Sequence, residues 1–597
     1  MNNPTTLTHL FRNRIAQSSG KTAFKRKINS VWEEITFQEY SDFVEKICYG
    51  LMDIGIKRGD HVAILSNTRM EWASADLGIM SSGAITVPIY QSSVESDVEY
   101  ILKDSAAKAI FVEDEIQLKK VLSVKSRAPE LRQIIIFKHN DGISKWDSSV
   151  LTFEHFCQKG LHYKNKYQPN FSEFLQKAKP DDAVSIVYTS GTTGQPKGVV
   201  LTHQNFISEL SDIAEAFPQL TDSEAVLTFL PYAHIFARLE LFCGLLFGWT
   251  ASFAEGIPQL VDNLSEVKPT FMFSVPRIYE KVYNQIVSQV ASGSALKKKI
   301  FYWSLNVGRK VSQRRQEKIG LSPLLKLQYQ LAKKLVFNKL RQKFGGRIRF
   351  FISGGAPLSR EIAEFFHAAG FLILEGYGLT ETTAAVSVNR EEDYEFGTVG
   401  SPFKDVQLKF SDDGEILVKS QKIFKEYYKN PEATRESFKD GWYCTGDIGL
   451  LTERGHLKIT DRKKDIIVTS AGKNIAPQKI ENLLKTERFI SQAMVYGDKR
   501  QYLSSLITLN PEEIRKFALE NNIQIDENLH KHPKVRKLIE DIIGKKNKSL
   551  PSFETIKKFS ILKNDFSIET GELTPSFKIK RKFCSEKYKD ILNAMYK

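Results

Sequence analysis

Apolar positions along this chain switch repeatedly between two periods. Short apolar runs at HVAILS (61–66), AITVPIY (84–90), AIFVED (109–114) and QIIIFK (133–138) read as buried strands. Helical spacing fills the stretches Leu7 to Gln17, Phe37 to Ile54 and Glu71 to Ser82, with a hairpin expected over Thr22 to Ile35. Strands alternating with helical patterns predict an α/β fold built on a largely parallel sheet covered on both faces. Ala183 to Val187 is a further buried strand, and the stretch after the following loop up to Phe217 reads as a helix with Thr202 as N-cap. TFMFSVPRIYEKV (270–282) is a strand with a helix starting at Pro276. RFFISGGAPLS (349–359) and LILEGYGLTET (372–382) are strands that end in glycine and hydroxyl groups. Residues 397–440 carry short strands and turns.

Length divides this pattern. At 597 residues the chain exceeds one compact core. The expected division is a large N-terminal domain of layered α/β sheets plus a small β-structure over 1–461, a hinge at 462–464, and a smaller mobile α+β domain over 465–597. Five scattered cysteines with no CxxC pair suggest neither a zinc site nor a disulfide framework, so a cytoplasmic chain is expected. The first twenty residues carry no secretory h-region. The most apolar window, 225–254, is interrupted by His234, Arg238 and Glu240 and reads as buried protein, not a membrane span.

Charge changes the picture in one place. Residues 297–349 hold sixteen Lys and Arg and one acid, Glu317, and the rest of the chain balances at sixty-nine of each sign. The whole excess of +15 therefore sits in this segment. Within it Leu324, Leu327, Leu331 and Leu335 recur at helical spacing while Lys326, Lys333, Lys334 and Lys339 occupy other faces. Two readings stay open: a solvated helix covering the large domain, or a surface making peripheral contact with anionic membrane. No nucleic-acid-binding motif accompanies the charge, so no nucleic acid partner is expected. Oligomeric state has no sequence signal.

Candidate chemistry centres on YTSGTTGQPKGVV (188–200). Ser190, Gly191, Thr192, Thr193 and Gly194 offer backbone N–H groups and hydroxyls to an anion, and Lys197 supplies a mobile positive charge. The Gly-Lys-Ser/Thr ending of a P-loop is missing. His234 lies in an apolar, aromatic setting, FLPYAHIFAR, where a packed core histidine competes with a catalytic one. The following 239–249 supplies pocket wall or core. In the segment at 372–382, Tyr377 offers a flat face to a purine, Thr380 a phosphate donor and Glu381 a hard oxygen ligand for magnesium. Asp447, in GWYCTGDIG, is placed either to accept both ribose hydroxyls or to close a turn. Lys578 lies in a basic loop after Ser576 and Phe577.

These motifs, in this order over residues 7–585, resemble the adenylate-forming superfamily of acyl-CoA synthetases, adenylation domains and luciferases. GYGLTETT, DRKKDIIVTSAGKNIAP and the ELTPSFKIKR ending look most like long-chain fatty acid CoA ligases. The resemblance implies that Thr189 to Lys197 hold the ATP phosphates. Gly355, Ala356 and Tyr377 would frame adenine, with Glu375, Gly376 and Gly378 in the same nucleotide-binding segment. It further implies Thr380 on the α-phosphate, Glu381 with Thr189 on Mg2+, and Asp447 and Arg462 on ribose. His234 would line the carboxylate and acyl pocket, Lys464 would be the hinge, Gly472 would sit in the loop that meets pantetheine, and Lys578 would be the adenylation lysine. The implied reaction consumes a fatty acid, ATP and coenzyme A; alternatives are loading of a carrier protein, or a non-catalytic lipid-binding protein on a membrane surface. Four positions depart from the family pattern: lysine at 464 where many relatives have aspartate, Phe577 in place of glycine before the lysine that the resemblance makes catalytic, and Ala471 and Glu426 where glycine is common.

Overall fold

The computed structural model describes residues 4–139, 147–189, 195–574 and 577–597. Its central sheet has eight strands in the order Glu426–Tyr427, Lys197–Thr202, Ala183–Thr189, Ile85–Ile89, His61–Leu65, Ala109–Val112, Gln133–Ile136 and Val150–Thr152. From Ala183–Thr189 onward the pairings are parallel, as the alternation of strand and helix predicts. Helix Phe37–Asp53 begins at a capping box in which Thr36 and Glu39 satisfy each other's backbone N–H groups. Helix Met70–Ser82 is buried nearly all round, which is why its sequence shows no polar face.

A second sheet runs Phe271–Ser274, Phe350–Ser353, Leu372–Leu379, Ala384–Val388, Ser401–Pro402, parallel across its first three strands. The expected hairpin, Thr22–Ile28 with Val31–Thr36, joins Ala225–Thr228 and Thr250–Phe253 in a third sheet. The polar residues of the 225–254 window are accommodated inside protein. Arg238, on helix Ile235–Phe247, donates to both oxygens of buried Asp76 at 2.8 and 2.5 Å and to Ser185 Oγ at 2.5 Å. No helix among the described residues is long and apolar enough to cross a membrane.

Three details differ from the sequence expectation. The chain leaves Ala183–Thr189 not into a helix but through a hairpin: Lys197–Thr202 pairs antiparallel with it before helix His203–Ala216 starts at the Thr202 cap. Leu372–Leu379 does not end at its glycines but runs through them. A Cβ on Gly378 would come within 1.4 Å of the Ala384 carbonyl oxygen, so only glycine lets the partner strand cross there. The basic segment forms helices Ala295–Gln316, Pro323–Ala332 and Asn338–Lys343, the last two joined by a π-helical turn, Lys333–Phe337.

A fourth sheet carries Glu415–Lys419, Trp442–Leu451 and Leu457–Arg462. From Ile467 onward the chain builds its own core around Ile490–Tyr496, Leu503–Leu509 and Ile556–Ile561. This C-terminal part leans on helix Pro276–Ala291, where Arg277 donates to the Ser491 carbonyl and Ser288 to Glu513.

Candidate active site

The carboxyl ends of the parallel strands Phe350–Ser353 and Leu372–Leu379 lie side by side, where a ligand crevice is expected. Gly355, with φ +82°, forms its lip beside exposed Ala356, and a Cβ there would lie 3.9 Å from His234 Cε1. His234 is the N-cap of helix Ile235–Phe247, its Nδ1 accepting the Phe236 N–H at 3.2 Å. An acceptor at Nδ1 places the ring proton on Nε2, which faces the Gly355 side. Burial, aided by the positive charge of Lys578, lowers the imidazole pKa to about 4. His234 is thus a neutral donor at physiological pH, suited to a carboxylate oxygen.

Asp447 and Arg462 stand opposite each other on antiparallel strands, and Arg462 Nε donates to Asp447 Oδ1 at 2.9 Å. Tyr377 donates its hydroxyl to the other oxygen, Oδ2, at 2.7 Å. The three side chains form one rigid polar edge along the crevice.

Glu381 sits in the turn Thr380–Thr382 that follows Leu372–Leu379. The next two residues, Thr383 and Ala384, both hold positive φ, at 53° and 85°. Such geometry at non-glycine residues needs outside support. Buried Lys422 provides it. Its carbonyl accepts from Thr383 Oγ1 at 2.6 Å, and its ammonium donates to the Ala385 carbonyl at 2.9 Å and to Glu209 at 2.5 Å. Tyr427 donates to Glu381 Oε1 at 2.9 Å, and the Lys197 ammonium lies over the same tyrosine ring, 5.0 Å from its centroid. Tyr427 therefore links the Glu381 turn to the strand Lys197–Thr202. Burial raises the Glu381 pKa above its ordinary value against the opposing pull of hydrogen bonds and Arg462.

Lys578 enters the crevice from the C-terminal part. Its loop is closed by Thr574, whose N–H donates to the Lys578 carbonyl at 2.8 Å and whose hydroxyl accepts the Lys578 N–H at 3.1 Å. Arg581 fixes the loop by donating to Glu481 at 2.5 Å. The protein mass around the ammonium, then the charge of Arg462, lower the Lys578 pKa to about 8, while Asp447 and Glu381 pull it upward. The side chain stays exposed at the crevice mouth, so water counters part of that loss of hydration.

His234, Tyr377, Glu381, Asp447, Arg462 and Lys578 are thus brought together from five separate stretches. Thr380 occupies the first position of the Glu381 turn. Thr189 ends its strand opposite Lys197. Ser190, Gly191, Thr192, Thr193 and Gly194 lie outside the described residues. Glu375 is buried beneath the crevice, its carboxyl accepting the Leu358 N–H at 3.2 Å and its pKa raised by burial to about 8; Gly376 follows it in the strand. Exposed Lys464 follows Lys463, which pairs with Asp413 and Glu415. Gly472 lies in an exposed loop with φ +71°.

A divalent cation would meet one carboxylate here, Glu381; no cluster of three metal-binding side chains occurs among the described residues. That donor set fits magnesium, which takes one or two carboxylates and completes its shell with phosphate oxygens and water. Sequence reasoning missed Tyr427 and Lys422. Neither sits in a motif whose residue types announce chemistry. A cleft of about 390 Å³ lined by Arg315, Lys318, Arg349 and His367 lies at the amino end of Phe350–Ser353, away from this crevice.

An α/β domain whose strand ends face a smaller C-terminal domain delivering one lysine is the architecture of an adenylate-forming enzyme. The chain belongs to the AMP-binding enzyme family: the model of the AMP-binding enzyme matches residues 11–428 and that of its C-terminal domain residues 464–597. Among curated relatives it is most like long-chain fatty acid CoA ligases. It is 36% identical over 577 residues to long-chain-fatty-acid–CoA ligase FadD15 of Mycobacterium bovis, covering 96% of this chain and 94% of that one. To the peroxisomal long chain acyl-CoA synthetase 7 of Arabidopsis thaliana it is 33% identical over 593 residues, covering 94% and 81%. Two of the solved structures that share the fold illustrate it. The adenylation domain of a Mycobacterium chelonae carboxylate reductase has a TM-score of 0.75 at 22% identity, covering 99% of this chain and 91% of that one. The anthranilate CoA ligase AuaEII in complex with anthranoyl-AMP has 0.72 at 19%, covering 99% of each.

Proposed function

We propose that this protein activates a long-chain fatty acid with ATP to an acyl-adenylate and transfers the acyl group to coenzyme A, releasing pyrophosphate and then AMP. The observation that carries this reading is the convergence of Lys578 with Glu381, Asp447 and Arg462 opposite a neutral His234.

In the first step a carboxylate oxygen attacks the α-phosphorus and pyrophosphate leaves with the bonding electrons. Two anions must approach. His234 Nε2–H orients the carboxylate, Asp447 and Arg462 hold ribose, and Tyr377 presents its face to adenine. Lys578, Lys197 and Thr380 face the charge that develops on the phosphates. Magnesium, held by Glu381 with Thr189, would supply further neutralisation of the triphosphate. In the second step the coenzyme A thiolate attacks the acyl carbon and AMP leaves.

Thioester formation does not need Lys578. The reading divides the chain at 462–464, so that residues 465–597 turn about Lys464, withdraw Lys578 and bring the loop containing Gly472 toward pantetheine. Lys578→Ala should then abolish adenylation, with a loss on the order of 10²-fold or more, yet pass supplied acyl-adenylate to coenzyme A. The reading extends to peripheral contact with an anionic membrane through residues 297–349, since the substrate itself partitions into lipid.

The direct test is product identity with ATP and acids of graded chain length, with and without coenzyme A. Thioester and AMP from palmitate-sized acids are expected. Absence of pyrophosphate–ATP exchange with every acid would overturn the assignment.

A further inference from the structure

We propose that one face of the basic segment, the leucine stripe of helix Pro323–Ala332 continued through the turn Lys333–Phe337, docks in the plane of an anionic lipid bilayer. This rests on the peripheral-contact reading and commits it to a particular surface.

The helix is two-sided in an unusual sense. Leu325, Tyr329, Ala332 and Phe337 are buried against the large domain. Leu324, Leu327, Leu331 and Leu335 point away from it and are 65%, 69%, 49% and 39% exposed. A single exposed leucine needs no explanation, but four aligned over three turns make a contiguous apolar strip. The segment is too short to cross a bilayer and is long enough to lie in its surface. It is also rigidly held: Ser322 caps its start by accepting the Leu325 N–H, and Pro323 occupies the first helical position.

Charge selects the occupant. Lys326, Lys334 and Lys339 belong to the same helical stretch, and Lys333 and Arg315 are held over the Tyr329 ring at 5.0 and 5.5 Å. The surrounding 297–349 carries sixteen cations and one acid. A second copy of the chain seated on this strip would face one such segment against another, which like-charge repulsion opposes. An anionic lipid surface satisfies both the leucines and the cations at once.

The test is co-sedimentation of the full-length protein with vesicles of phosphatidylcholine alone or mixed with phosphatidylglycerol. Binding to the mixed vesicles only, weakened by added salt, is expected. The fourfold variant Leu324→Ser, Leu327→Ser, Leu331→Ser, Leu335→Ser should bind at least about tenfold more weakly while keeping its pyrophosphate–ATP exchange with detergent-dispersed acid. Lys326→Glu, Lys334→Glu, Lys339→Glu should lose binding likewise. Undiminished binding by the leucine variant would overturn the face, as would a wild-type dimer that this variant dissolves without any change in vesicle binding. Failure of the wild type to bind would overturn membrane contact altogether, and the exchange assay on the same preparation would still report separately on the ligase reading.

Discussion

Tyr377 and Asp447, seventy residues apart in sequence, meet through a 2.7 Å hydrogen bond from phenol to carboxylate. Arg462 takes the other carboxylate oxygen at 2.9 Å, so Asp447 has both its oxygens committed before any ligand arrives. The arrangement fixes the ring that would lie against a purine and the carboxylate that would receive a ribose in one geometry. Preorganisation of this kind lowers the ordering cost of binding.

Removing Asp447 should therefore do more than delete one contact. Asp447→Ala removes the carboxylate to which the Arg462 guanidinium donates, and kcat/KM for ATP in pyrophosphate exchange should fall on the order of 10²-fold or more. Tyr377→Phe keeps the ring and loses one hydrogen bond, which corresponds to about five- to tenfold. A larger defect in the phenylalanine variant than in the alanine variant would contradict the assigned roles.

The pH profile follows from the lysine. On the proposed reading Lys578 faces the phosphates as a cation, and its pKa is lowered to about 8, so kcat/KM for adenylation should decline as pH rises through that value. Bound triphosphate favours the charged form, so the alkaline limb of kcat should lie higher than that of kcat/KM. Lys578→Arg should move the limb upward at reduced rate, because guanidinium does not deprotonate in this range. His234, neutral above about 4, contributes no limb near neutrality. On the acid side Glu381 should lose its charge above the ordinary carboxylate range, since burial raises its pKa. An alkaline limb unmoved in Lys578→Arg would sink the assignment.

Much of this was legible without coordinates, for reasons that differ by element. The parallel strands announce themselves because both faces are buried and their runs are continuously apolar, as at Ala109–Val112. Thr202 is visible as a cap because the hydroxyl directly precedes a periodic stretch. The candidate residues Tyr377, Glu381, Asp447, Arg462 and Lys578 are named through motifs and resemblance, not through any local period. The hairpin at Lys197–Thr202 was not, since an apolar run after a glycine loop suits a strand or a helix start equally. Lys422 and Tyr427 were invisible for a plainer reason: their roles come from Glu209 and Glu381, 213 and 46 residues away. No periodicity encodes such a meeting.

Phe577 explains a departure that sequence could only note. It adopts φ +60°, the left-handed region that glycine enters freely, directly before Lys578, and its side chain is 60% exposed. Left-handed geometry costs an L-residue about 1–2 kcal/mol, and little burial would be lost on replacement. Phe577→Gly should raise unfolding stability by about 0.5–1 kcal/mol after the entropy of the freer unfolded chain is counted. Phe577→Val, β-branched and ill-suited to this region, should destabilise and slow adenylation while sparing thioester transfer from supplied acyl-adenylate. Denaturant unfolding and the two half-reactions measure these effects, and a glycine variant less stable than wild type would refute the strain.

Lys422 offers the sharpest separation of support from chemistry. It is fully buried and forms ion pairs with Glu209 and Asp212, both at 2.5 Å, while its backbone and ammonium together hold the positive-φ turn after Glu381. Lys422→Met removes the cation and strands two buried carboxyls, a loss of about 3–5 kcal/mol by comparison with other broken buried pairs. Burial already raises the Glu209 pKa to about 7, and without the ammonium it should rise further, so the variant should be least stable at alkaline pH, where that carboxyl is forced to ionise. The triple variant Lys422→Met, Glu209→Gln, Asp212→Asn removes the unpaired charge and should recover most of the stability. It should not recover full adenylation, because the Ala385 carbonyl still lacks its donor and only the Thr383 contact to the residue-422 carbonyl remains to hold the Glu381 turn. Full activity in the stabilised triple variant would show that the buried lysine serves folding alone.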